Sequence, residues 1–166
     1  MSNLSMDKNK NKTPIVHFSW NKVIFTLLVI YLILVFYVTL FAWNYGSSYG
    51  PVGPGGRNYN LTLFESIYRI AVYSPDMYDP ILILGGNFLM FIPFGILISL
   101  WFRGSLSSVW YVLLLSVLLS SFIEVNQFIF TYRVANIDDV LLNTMGGVMG
   151  AWFIVSSRWF IKKIVW

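Results

Sequence analysis

A chain of 166 residues that is 57% apolar and only 11% charged is too hydrophobic for a soluble domain. It suits an integral membrane protein with one domain and about four spans. The net charge of +4 does not imply nucleic acid, because the basic residues flank apolar runs as membrane topology requires. With no cysteine and one histidine, His17 in a polar tail, there is no basis for disulfides, thiol catalysis or a Cys/His metal centre, and no cofactor or metal is expected.

In chain order, residues 1–22 form a basic tail carrying Lys8, Lys10, Lys12 and Lys22 among Asn and Ser. Residues 23–43 are an unbroken apolar run without a small-residue cleavage site, and so read as an uncleaved first span. The Gly- and Pro-rich segment 45–56 is loop. Thr62-Leu-Phe-Glu65 has the spacing of a capping box. Phe64, Ile67, Tyr68, Ala71 and Val72 then fall on one helical face, which predicts a short helix lying at the membrane surface. Spans two to four cover about 81–102, 109–130 and 140–161, with Pro93 inside the second expected to kink it. The fold expected is all-α integral membrane: four transmembrane helices and an extracellular loop with a short interfacial helix, residues 23–166 forming one membrane domain.

Lysine and arginine set the orientation. Lys8, Lys10, Lys12, Lys22, Arg103, Arg158, Lys162 and Lys163 fall on one side, against Arg57, Arg69 and Arg133 on the other. That split of eight to three places both termini in the cytoplasm.

The informative stretch is 124–150. Glu124 and Gln127 extend a stripe begun by Ser116 and Ser120 along one side of the third span. A glutamate inside a span is costly, and such a residue marks a functional site or a protonated side chain bonded to a neighbouring helix. A turn holding Arg133, Asn136, Asp138 and Asp139 follows, then Asn143 with Gly146, Gly147 and Gly150 on the fourth span. These glycines read as close helix packing. At 1.5 Å per residue, Asn87 and Glu124 lie about 9 Å below the outer boundary, and Gln127 and Asn143 about 5 Å. Polar groups from three helices thus share a level, which predicts an outward-facing polar pocket.

Several motifs together resemble the VanZ-like family, small membrane proteins named for a teicoplanin-resistance determinant. They are Asn60-Leu-Thr-Leu-Phe64, Asn87-x-x-x-Phe91-Ile-Pro93-Phe-Gly95 and Glu124-x-x-Gln127. Arg133-x-x-Asn136-Ile-x-Asp139 and Val140-x-x-Asn143-Thr-x-Gly146 complete the set. Two positions depart from the family pattern, which often has proline where Leu63 stands and aspartate where Asn136 stands. The resemblance implies a multi-pass protein of the bacterial cytoplasmic membrane that lowers susceptibility to glycopeptide antibiotics.

Two functional classes fit. In one, the pocket binds an anionic lipid or lipid-linked cell-wall precursor through Asn87, Gln127, Arg133, Asp138 and Asn143, with Arg133 gripping a phosphate or carboxylate. In the other, Glu124 and Asp139 act as acid and base on a lipid-linked envelope substrate. A transporter is disfavoured, since four short spans show no inverted repeat. In a purely structural reading, Arg133 pairs with Asp138 or Asp139, and Asn136 or Asp138 caps the last helix. The partners expected are the bilayer and the lipid-linked ligand, with no nucleic acid.

Overall fold

The computed structural model describes residues 19–42, 59–78, 80–131 and 133–165. The expected tail beyond Ser19 and the loop 45–56 lie outside the described residues. Five α-helices carry the fold: α1 (Trp20–Tyr37), α2 (Glu65–Tyr73), α3 (Gly86–Trp101), α4 (Leu106–Phe130) and α5 (Ile137–Val165). π-helical turns extend α1 over Val38–Ala42 and precede α3 over Pro80–Gly85. Among the described residues four segments are long and apolar enough to cross a membrane: Trp20–Phe41, Pro80–Trp101, Leu106–Phe130 and Ile137–Ile164. The protein is therefore a four-span, all-α membrane protein, as its composition implies.

Three helix starts differ from those expected from the sequence, the third span beginning at Leu106 and not at 109. The first helix begins at Trp20, so Lys22 lies within its opening turn. The last helix begins at Ile137, and so takes Asp138 and Asp139 into its first turn. Acidic side chains are favoured there by the partial positive charge of a helix N-terminus. Asn136 starts this helix, its Oδ1 accepting from the Asp138 N–H at 3.1 Å, as an N-cap does.

The core of the bundle is α3, α4 and α5. Phe91, Phe94, Ile98, Val109, Val112, Ile123 and Ala151 are buried there, with Val35 from α1. Glycine makes the α3–α5 seam tight. A Cβ on Gly95 would overlap the Gly147 carbonyl, one on Gly146 the Phe88 carbonyl, and one on Gly150 the Ile92 carbonyl. The Gly146-x-x-x-Gly150 pattern thus brings two backbones into contact, the close approach that small residues permit in membranes. Antiparallel α4 meets α5 through small polar groups. A Cβ on Gly147 would meet Ser116, and four residues on, Asn143 Nδ2 donates to Ser120 Oγ at 2.8 Å.

Helix α1 stands to one side, mainly against α3. Tyr31 donates its hydroxyl to the Met90 carbonyl at 2.7 Å and lies against Phe94, while Phe25 meets Trp101. Pro93 sits within α3 and has no N–H to offer the Leu89 carbonyl, so the backbone ladder is open in the turn that Tyr31 engages. At the far end, the α3–α4 turn runs through Arg103 and Gly104, both with positive φ (60° and 58°). Arg158 of α5 donates to the Arg103 carbonyl there. One end of the bundle therefore gathers Lys22, Arg103, Arg158, Lys162 and Lys163, and the opposite end carries α2 and the α4–α5 turn.

Candidate functional site

At the α2 end, two short segments bind the connections together. Tyr59–Asn60 and Ala135–Asn136 pair as a parallel two-stranded ladder, Tyr59 opposite Ala135 and Asn60 opposite Asn136. Asn60 Oδ1 accepts from the Thr62 N–H at 2.9 Å, and its amide donates to Ser66 Oγ at 2.8 Å. The motif Asn60-Leu-Thr-Leu-Phe64 is thereby explained: its asparagine shapes the turn into α2.

The expected capping box at Thr62 and Glu65 does not form. Phe64, with φ 66°, is the N-cap residue of α2 and makes no side-chain cap. The cap comes from another helix instead. Asp138, fully buried on α5, accepts from the Phe64 N–H at 2.6 Å on Oδ1, and from the Ser66 and Ile67 N–H groups at 2.9 and 3.2 Å on Oδ2. A carboxylate receiving three otherwise orphaned helix donors is strongly favoured. One side chain of the last span thus fastens α2 over the bundle. Ile67 and Ile70 are half-buried beneath it, while Phe64, Tyr68 and Val72 form an exposed apolar stripe, the amphipathic surface an interfacial helix presents.

Glu124 acts in a similar way, one layer further down. It is buried, and its Oε2 accepts from the Asn136 N–H at 2.8 Å, so the third span caps the start of the fourth. Its carboxylate stands beside that of Asp139. Asp139 in turn faces two amides, Asn136 Nδ2 at 3.2 Å and the side chain of Asn87 on α3.

Gln127 and Arg133 converge on α1. Both donate to the Thr39 carbonyl, each at 3.0 Å, while the Thr39 hydroxyl returns to Val35 O at 2.8 Å. Thr39 lies in the π-helical turn Val38–Ala42, where the ordinary i to i+4 ladder is interrupted and a carbonyl becomes available to outside donors. The Arg133 pairing with Asp138 or Asp139 is not formed: among the described residues the one ion pair is Arg69–Glu65, at 3.8 Å. Arginine carries five N–H donors, and among the described residues one of them is bonded to Thr39 O while the charge faces Asp139 and Glu124.

Around these groups lies a cavity of about 1110 Å³, just above the usual range for small-molecule sites. Its polar region holds Asn87, Arg133, Asn136 and Asp139, with Asn60, Ser66 and Arg69 from the α2 side. Its apolar region holds Tyr31, Leu34 and Val38 from α1, and Leu82, Leu89 and Met90 from α3 and the turn before it. Of the residues singled out in the sequence, Asn87, Arg133 and Asp139 thus share one cavity wall. Glu124 and Gln127 support that wall from behind. Asn143 sits lower, in the α4–α5 seam on Ser120, and Asp138 is committed to α2. Tyr31, Thr39, Asn60, Ser66 and Arg69 were not anticipated. The only signal for them was the asparagine motif at 60, since an all-apolar first span gives no periodicity to say which face meets the site.

The arrangement can hold an anion at Arg133. The Asp139 carboxylate beside it calls for a hydroxyl, amide or ammonium donor, and the apolar wall below calls for hydrocarbon. Among the described residues no group of three or more His, Cys, Asp or Glu side chains is placed to hold a metal ion.

Comparison with known proteins finds similarity to one family. A family model described as VanZ/LLP1 matches residues 28–161. Protein VanZ of Enterococcus faecium is 32% identical over 126 residues, covering 75% of this chain and 68% of the relative. No solved structure matches the chain.

Proposed function

This chain belongs to the VanZ/LLP1 family, and from that premise we propose that it lowers susceptibility to teicoplanin-type glycopeptides by holding an anionic lipid or lipid-linked cell-wall precursor. The ligand sits in the cavity beneath α2, which faces outward from the bacterial cytoplasmic membrane. Both termini lie inside, as the segregation of basic residues to the opposite end of the bundle supports. Arg133 carries the reading: a half-buried guanidinium on a cavity wall, close enough to Asp139 and Glu124 to feel their charge but in ion-pair contact with no carboxylate among the described residues, where its side chain donates to the Thr39 carbonyl. A phosphate or carboxylate supplies what that fork lacks.

Binding is favoured over turnover by the position of Glu124. An acid–base pair needs both carboxylates at the substrate, whereas Glu124 is engaged by the Asn136 N–H behind the wall that Asp139 lines. The test is teicoplanin susceptibility of a sensitive host expressing the chain. Arg133→Ala should return the host to the susceptibility of the empty vector while membrane protein level is unchanged. Full protection by Arg133→Ala would refute the proposal. Mass spectrometry of cell-wall precursors separates the two classes: a new product that depends on Asp139 would replace binding with catalysis.

A further inference from the structure

The cavity is not walled on all sides. Leu34, Val38 and Leu89 line it, yet they are 56%, 42% and 62% exposed. Residues that face both a cavity and the outside mark an opening. One opening is at the α2 end, where the lining residues Tyr59, Glu65 and Arg69 are exposed. Leu34 and Val38 belong to the α1 side, and Leu89 to α3, so the second mouth is the gap between these two helices. These are bilayer-crossing segments, and this second mouth therefore opens sideways towards lipid.

Both helices depart from α geometry at this gap. The π-helical turn Val38–Ala42 contributes Val38 and Thr39 to the lining, and the π-helical turn Pro80–Gly85 contributes Leu82 and Ile83. Such wide turns are frequent at functional sites. The chemistry of the lining is also graded. Arg133, Asp139 and Asn87 sit at the α2 end, and every lining residue named from the α1–α3 gap below Thr39 is apolar or, in Tyr31, aromatic. An anion alone would leave that apolar portion unfilled.

We propose that the ligand enters sideways from the bilayer and lies with its phosphate-bearing head at Arg133 and its hydrocarbon chain in the gap between α1 and α3. This rests on the reading that the cavity takes an anionic lipid, and it adds the route and the chain site. Leu34 and Leu89 are the two jaws of the portal. A water-soluble phosphate head would use the polar region only and would bind far more weakly than its lipid.

The test uses the purified full chain in detergent, with bound ligand measured by native mass spectrometry. The probes are undecaprenyl phosphate, phosphatidylglycerol and chainless glycerol 1-phosphate. The wild type should hold at least one of the two lipids about tenfold or more tightly than glycerol 1-phosphate, a difference of about 1.4 kcal/mol, and the lipid preferred names the source. Leu89→Trp, which fills the gap from an exposed position, should abolish that preference without changing the affinity for glycerol 1-phosphate. Leu34→Trp does the same from the facing helix, and thermal unfolding confirms that each variant is folded. Equal affinity for lipid and chainless phosphate in the wild type, or an undiminished preference in either folded tryptophan variant, would overturn the lateral portal. Arg133→Ala reports on the headgroup reading separately: it should weaken all bound probes by a similar factor. If it weakens none while the tryptophan variants still exclude lipid, the headgroup assignment fails and the chain site stands.

Discussion

Helix α3 meets α5 on one side and α1 on another, and the two seams are built differently. Against α5 it presents Gly95 and the carbonyls of Phe88 and Ile92 to Gly146, Gly147 and Gly150, so that backbone meets backbone. Against α1 it presents Leu89 and Met90, and holds its neighbour through Tyr31 and aromatic contacts while a cavity stays open between them. Small residues close a seam in a membrane, because van der Waals contact is what holds helices together there. Bulky residues paired with π-turns keep the other seam apart. One chain thus separates a scaffold, α3–α4–α5, from a site at its α1 and α2 border.

The comparison breaks most readily at the glycines. Gly95→Leu or Gly150→Leu should remove most of the folded protein from the membrane, since overpacking costs about 1–3 kcal/mol even where side chains can move and here the obstacle is backbone. The matched change on the open seam, Leu89→Ala, should shift stability by no more than about 0.5 kcal/mol, as expected of an exposed position. Thermal unfolding in detergent measures both. Equal losses would mean that the two seams are equally packed.

Asp138→Ala comes next. It deprives three backbone N–H groups of their acceptor, and hydrogen bonds to charged groups contribute about 1.5–3 kcal/mol each. Hydrogen exchange should show amides 64–73 losing protection while α3 and α5 keep theirs. Protection retained in α2 would mean that its own contacts, not Asp138, hold it in place.

A smaller effect is expected at Glu124. Glu124→Gln keeps an oxygen to accept from the Asn136 N–H, so stability should change by about 1 kcal/mol or less and teicoplanin protection should persist. Glu124→Leu should lose both. Loss of protection in the glutamine variant at normal membrane level would restore a charge or proton-transfer role to this residue. An effect of similar size is expected for Tyr31→Phe, which removes one hydroxyl donor from Met90 O and leaves the ring against Phe94. Unfolding should shift by about 0.5–1.5 kcal/mol, and a larger shift would show that α1 is more firmly seated than the open gap implies.

How much of this was readable in the sequence depends on whether a feature is local. The spans follow from apolar length alone, and the α3–α5 seam from Gly146 and Gly150. The stripe Ser116, Ser120, Glu124 correctly marks the α4 face turned to α5, because helical spacing puts those side chains in line. Of the four residues placed at shared depths, Asn87, Glu124, Gln127 and Asn143, only Asn87 lines the cavity; Glu124 and Gln127 lie behind its wall and Asn143 bonds Ser120 in the α4–α5 seam. Local rules failed where a partner came from far along the chain. Thr62 and Glu65 have capping-box spacing, but a carboxylate 72 residues beyond Ser66 takes the donors. Likewise nothing near Thr39 foretells a π-turn whose carbonyl receives Gln127 and Arg133. Asp138 and Asp139 are adjacent in sequence and alike in chemistry, yet one is wholly enclosed by α2 and the other lines the cavity, a division that only the packing of α2 decides.

The most direct test of the open seam as the site is an experimental structure of the protein purified with lipid from a bacterial membrane. The account predicts an elongated ligand with its anionic head at Arg133, near Asp139 and Asn87, and its chain leaving between Leu34 and Leu89. A structure in which α1 closes onto α3 and the ligand lies elsewhere, or in which Arg133 is paired with a carboxylate of the chain itself, would contradict it.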